Sequence, residues 1–177
     1  FEMLLSRRFA VEQKEFAVGV RIEHLQAAIG RAQYGAGYAA LPAADYKLVS
    51  HASERAVFTF CMCPGGVVVP AASEEGGVVT NGMSDFARDG RNANSALVVQ
   101  KEDFASEHPL AGVQFQRRLE RAAFAAAGGG YRAPVQLVGD FLADRESYYF
   151  GEVKPTYAPA TSFAPMQSIF PRVITDA

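Results

Sequence analysis

Charge of one sign, long apolar runs and cysteine are all scarce in this sequence, and each shortage removes a class of protein. The formal net charge is −2 and no basic run occurs. That argues against nucleic acid or an anionic membrane surface as a partner. Uncharged stretches are broken by Gly, Pro or Ser, so none reads as a membrane span, and no signal peptide is visible. Two cysteines offer no disulfide framework and suit a reducing compartment, so the expected location is cytoplasmic. Zinc takes about four ligands. Cys61 and Cys63 would have to recruit His24, His51 or carboxylates, and no C-x-x-C or H-x-x-x-H spacing supports that, so no metal is expected.

What is present is an ordinary globular composition, 49% apolar and 20% charged, in a chain of 177 residues. That length carries a real core, and one domain spanning residues 1–177 is expected. The chain opens at Phe1 and closes on "FPRVITDA" without a cap, so both ends are expected to be cut from something longer.

"EFAVGVRIEH" alternates Phe16, Val18, Val20 and Ile22 with Ala17, Gly19, Arg21 and Glu23, the period of a half-buried strand. "LQAAIGRAQYG" reads as a short helix closed by Gly35, and "DYKLVSH" as a strand. "AVFTFCM", "GVVVPA", "GGVVTNG" and "NSALVVQ" are four β-rich runs, the first three close enough for an antiparallel meander. Pro109 opens a helix in "PLAGVQFQRRLERAAFAAAGGG", with Phe115, Leu119, Ala122 and Ala126 on one face and three glycines at its end. "APVQLVGDFLAD" adds a turn of helix, residues 147–164 form an irregular arm, and "PMQSIFPRVI" starts a last helix. The fold class is α+β, a mainly antiparallel sheet with a central meander and helices packed to one side.

"FCMCPGG" draws the eye because both cysteines sit against a tight turn. In a regular strand Cys61 and Cys63 share a face, at the upper limit of a bridgeable Cα separation. Small residues filling a sheet beside a turn is the plain interpretation. A turn at Gly65 and Gly66 that brings backbone N–H groups to a ligand is the functional one. Downstream, Glu74, Asn81, Ser84, Arg88, Asn92 and Asn94 crowd between strands. They read equally as contacts to a polar ligand or as a self-capping surface loop. Arg21 and Glu23 share one side of a strand, as a structural ion pair or with Arg21 turned to an anion. "GAGYAA" at residues 35–40 imitates a dinucleotide fingerprint, but a helix precedes it and Pro42 follows it, so it is rejected.

Taken in order, "KEFAVGVRIEH", "YKLVSH", "FCMCPGG", "SEEGGVVTNGMS", "RNANSALVV", "PLAGVQFQRRLE" and "APVQLVGDFL" resemble the C-terminal half of the uncharacterised FAD-dependent dehydrogenases. These bacterial flavoproteins are also called NAD(FAD)-utilising dehydrogenases. The resemblance runs from Lys14 to Pro155, and Leu25 stands where the family pattern has proline. It implies a substrate or cap domain of a longer oxidoreductase, partnered by a Rossmann-type FAD-binding domain of the same polypeptide and by a small-molecule substrate. FAD would be held only in the full-length protein, with NAD(P)H as a candidate electron donor. The fragment alone would be inactive, and no catalytic residue carries over. The residues it turns toward flavin or substrate are Arg21, Cys61, Cys63, Gly65, Gly66, Glu74, Asn81, Ser84, Arg88, Asn92 and Asn94. A stand-alone small-molecule binding module and a structural interface domain are the alternatives.

Overall fold

The computed structural model describes residues 1–52, 55–101, 104 and 106–176. Its centre is a four-stranded antiparallel sheet in the order β1-β6-β3-β2. Strand β1 (Phe16–Leu25) and β6 (Asn92–Lys101) pair along ten residues, from Phe16 opposite Lys101 to Leu25 opposite Asn92. On the far side of β6 lies β3 (Val57–Cys63), with the two-residue β2 (Val49–Ser50) at the edge. "DYKLVSH" therefore contributes only its last part as a strand.

The mainly antiparallel α+β class stands, but the runs do not form one meander. Strand β4 (Gly66–Pro70) pairs with β5 (Thr80–Ser84) in a separate two-stranded ribbon, and β6 takes the place beside β3 that a meander would give to β4. The cause is local. Between Phe60 and Cys63 the β3–β6 register slips, and Cys61 has φ +46°. An extra residue in one strand bends it and raises its twist. The following turn, with Gly65 at φ +52°, then carries the chain out of the sheet. The Asn81-Gly82 pair, a turn signal in isolation, lies inside β5.

Helix α2 (Gln26–Tyr34) ends at Gly35 with φ +67°, as the glycine predicts. The long helix α3 (Ala111–Ala126) starts two residues after Pro109 and stops before Gly128, Gly129 and Gly130, all at positive φ. Its inner face meets the sheet through Phe115, which with Phe16 and Phe104 forms a ring cluster with centroids 5.4 to 6.5 Å apart. Val68, Val78, Ala133 and Tyr157 form a buried cluster against which Ala123 and Phe124 of α3 pack. The short α4 (Val138–Leu142) occupies the segment expected to add a turn of helix, and a further short helix, α1 (Glu2–Ser6), precedes β1. Within the arm, β8 (Thr161–Phe163) pairs in parallel with β7 (Ala133–Val135). The final helix reduces to a 3₁₀ turn at Met166–Ile169 and α5 (Arg172–Thr175).

Candidate functional site

The bulge decides what the two cysteines do. Across three strands, Phe60, Ala96 and Arg21 form one row, and Cys63, Asn94 and Glu23 the next. Directly paired residues share a face, so Cys63 lies on the face of Phe60 and Arg21. Cys61 and Met62 together stand opposite Ser95, with Cys61 at positive φ. The expectation that the thiols share a face of a regular strand is thus corrected, because the positive φ at Cys61 breaks the period of two. Both thiols are free, Cys61 exposed and Cys63 half-buried. The carbonyl of Cys61 accepts hydrogen bonds from Arg21 Nη1 and Cys63 Sγ, each at 3.3 Å.

Arg21 is the hub of this face. Its Nη1 donates to Asn94 Oδ1 at 2.6 Å and its Nη2 to Asn81 Oδ1 at 3.3 Å. Asn94 is fully buried. The β4–β5 ribbon lies directly over these side chains, and it can do so only because residue 82 is glycine. A Cβ there would come closer than 3.0 Å to Asn94 Oδ1, Arg21 Nη1 and Cys63 Sγ. Gly82 therefore belongs to the site although no sequence reading picked it out; its signal was the "NG" pair, which reads as a turn. Burial pulls the Arg21 guanidinium below its usual pKa, opposed by the neighbouring Cys63 and Cys61 thiols and by Tyr46.

The ion pair between Arg21 and Glu23 does not form. Glu23 instead accepts from Thr156 N at 3.1 Å, from Thr156 Oγ1 and from Asn92 Nδ2 at 3.3 Å. Asn92 also donates to the Lys154 carbonyl at 2.8 Å. Glu23 and Asn92 thus hold the arm against the sheet. Glu74 goes elsewhere: its carboxylate grips Arg117 of α3 through three hydrogen bonds of 2.7 to 2.9 Å.

The turn is built for close approach. Gly65 N donates to Gln26 Oε1 at 2.8 Å, Gly90 N to the Gly65 carbonyl at 3.2 Å, and Ser84 Oγ to the Pro64 carbonyl at 2.7 Å. A Cβ at Gly65 would run into the Arg88 carbonyl. Gly65 N is thus committed to Gln26, and Gly66 pairs opposite Ser84 within the ribbon. The Arg88 side chain is exposed.

Behind Arg21 the same sheet face opens into a cavity of about 490 Å³. Ala17, Gly19, Ala96 and Val98 form its floor, Leu119 and Ala123 of α3 one wall, and Val68 and Val78 another, with Met166, Ile169 and Phe170 closing it. The alternation in β1 placed small residues on this face, but nothing local announced what they make room for. Among the described residues no three His, Cys, Asp or Glu side chains gather as a metal site, and no helix is long and apolar enough to cross a membrane.

Beside the cluster, His24 Nε2 and the Tyr46 hydroxyl are 2.7 Å apart. Burial lowers the His24 pKa and raises that of Tyr46. The sign follows: in the pH range below the ordinary histidine value of about 6.5, the unfolded chain binds a proton more readily than the folded one. Stability should therefore fall as pH drops from that value toward the lower folded pKa, and stay level above it. Urea midpoints between neutral and mildly acid pH should show this slope, and His24→Gln should flatten it. An unchanged slope in the variant would assign it to other groups.

The sequence is similar, over residues 15–177, to the model of the family described as FAD-dependent protein, C-terminal domain-like. It is also 51% identical, over 183 aligned residues, to a protein of Clostridium beijerinckii described only as uncharacterized. That alignment covers 100% of this chain and 34% of the relative, so the chain spans about a third of the relative's length.

Proposed function

Because the chain belongs to the FAD-dependent protein, C-terminal domain-like family, we propose that it is the substrate-facing cap of a longer cytoplasmic FAD-dependent oxidoreductase. In this reading the exposed bulge at Cys61 and the cluster around Arg21 face a flavin held by another part of the same polypeptide, with the buried turn at Gly65 and Gly66 behind them. Asn81, Ser84 and Arg88 rim the opening, and Asn92 and Asn94 support it from below.

The observation that carries the reading is apolar exposure around polar order. Phe60 is 59% and Met83 59% exposed, and Phe86 is fully exposed; Phe60 stands in the same row as Arg21 across the sheet, and Met83 and Phe86 follow Asn81 closely in the chain. Exposed large apolar side chains grouped beside an ordered polar cluster mark a surface that another body covers. The chain does not itself fit the diphosphate of FAD. "GAGYAA" forms a 3₁₀ turn after α2 rather than a strand-to-helix phosphate loop. Binding of the cofactor therefore falls to the FAD-binding part. Flavin, where bound, supplies the redox chemistry; this chain's residues would orient substrate and shield it from water.

Visible spectra test this first. The full-length protein should be yellow with flavin bands and the isolated chain colourless, and anaerobic bleaching by NADH or NADPH identifies the electron donor. A full-length protein that stays colourless with added FAD sinks the flavoprotein reading. In that case a small-molecule binding module, which the cavity favours on its own, takes its place. The covered surface has its own test. Phe86→Asp should leave the isolated chain's melting temperature unchanged, since exposed substitutions cost within about 0.5 kcal/mol. It should lower that of the full-length protein by several degrees. Equal behaviour in both would mean that nothing covers Phe86.

A further inference from the structure

We infer that the cavity beside β1 binds an amphipathic carboxylate, with an aliphatic or aromatic body among the side chains of α3 and β4 and its carboxylate drawn to Arg21. The inference rests on reading the chain as a ligand-facing domain, but not on flavin. Arg21 lines the cavity, and its partners are neutral oxygens: Asn94 Oδ1, Asn81 Oδ1 and the Cys61 carbonyl. Among the described residues no carboxylate lies within ion-pair distance of it. A cation partly withdrawn from water without a counter-charge is costlier to keep than one paired with the opposite sign. Arg21 Nε and Asn94 Nδ2 are moreover buried with no acceptor. The cluster is thus short of negative charge and of acceptors together, which is the deficit an anionic head corrects.

The rest of the wall selects the body. Val68, Val78, Val98, Leu119, Ile169 and Phe170 present hydrocarbon, and a space of about 490 Å³ lies in the range of small-molecule sites. Glu23 and Glu120 also line it. Glu23 is engaged by Thr156 and Asn92, and Glu120 Oε1 accepts from Gln116 Nε2 at 3.0 Å. These two carboxylates repel an anionic head from their own stretches of wall, leaving Arg21 as its place.

Calorimetric titration of the full-length protein with octanoate, octanol and octylamine, and with phenylpropionate and phenylpropanol, reads head and body separately. At least one acid should bind about tenfold or more tighter than its alcohol, the gain typical of a hydrogen bond to a charged group. Octylamine should be weaker than octanoate. Arg21→Met should remove the acid-over-alcohol gap, and Ala123→Leu, which narrows the cavity, should weaken acid and alcohol alike. Equal or tighter binding of the alcohols, preference for the amine, or no binding by either acid overturns the inference. If Arg21→Met fails to melt cooperatively, the acid, alcohol and amine series on the unaltered protein decides alone. Flavin colour is read in the same samples, so a colourless protein that binds octanoate, or a yellow one that does not, separates the two proposals.

Discussion

Replacing Gly82 by alanine should destabilise the protein by about 1–3 kcal/mol, the usual cost of forcing a group into a filled space. The added methyl has nowhere to go. It would sit closer than 3.0 Å to Asn94 Oδ1, Arg21 Nη1 and Cys63 Sγ, so either the β4–β5 ribbon lifts or Arg21 leaves its seat. Asn94 cannot retreat because it is fully buried beneath the ribbon. Gly82→Val should cost more and should also weaken octanoate binding if Arg21 is what moves. The urea midpoint should fall at constant slope, as expected when stability changes and the unfolded state does not. Gly151→Ala is the control, since a Cβ there meets nothing within 4 Å. If both alanine variants match the parent to within about 0.5 kcal/mol, the ribbon is not seated on Arg21 as described.

Glu23→Ala should cost about 2–4 kcal/mol, because it strips the acceptor from several donors at once and hydrogen bonds to a charged group are worth about 1.5–3 kcal/mol. Thr156 loses the partner of both its N–H and its hydroxyl, and Asn92 loses one of two. The damage should spread, since Thr156 Oγ1 also accepts from Val68 N at 2.8 Å and so ties the arm to β4. Chymotrypsin should then cut after Tyr157, which is buried in the folded chain, well before the parent is cleaved there, while Glu23→Gln, which keeps an acceptor, should behave in between. Unchanged cleavage in Glu23→Ala would show that the arm is held by its apolar contacts alone.

Both predictions turn on residues whose importance was uneven in the sequence. Glu23 was legible as a partner for Arg21, which is the one thing it is not. Arg21 faced two open roles; the ion pair does not form, and its guanidinium donates to Asn94, Asn81 and the Cys61 carbonyl instead. Asn81, Asn94, Cys61 and Cys63 stood out by residue type and do converge on Arg21 through side chain or carbonyl. Glu74 stood out in the same way and pairs with α3 instead. Gly82 was not singled out at all.

The sequence by itself determined the elements whose cause is local. The alternation of β1, the α2 stop at Gly35 and the run of α3 up to three glycines follow from side-chain period and backbone freedom within a few residues. The order of strand-like and helix-like runs likewise determined the α+β class. Only the tertiary structure decided that β6 inserts between β1 and β3, that Cys61 bulges, that β5 lies across Arg21 and that a cavity opens behind it. Strand pairing joins residues as far apart as Arg21 and Asn94, and the choice among partners depends on the packing of the whole sheet. A non-glycine residue at positive φ leaves no mark in its own side chain. For both reasons the neighbours that give Arg21 its unpaired charge are set by the assembled fold.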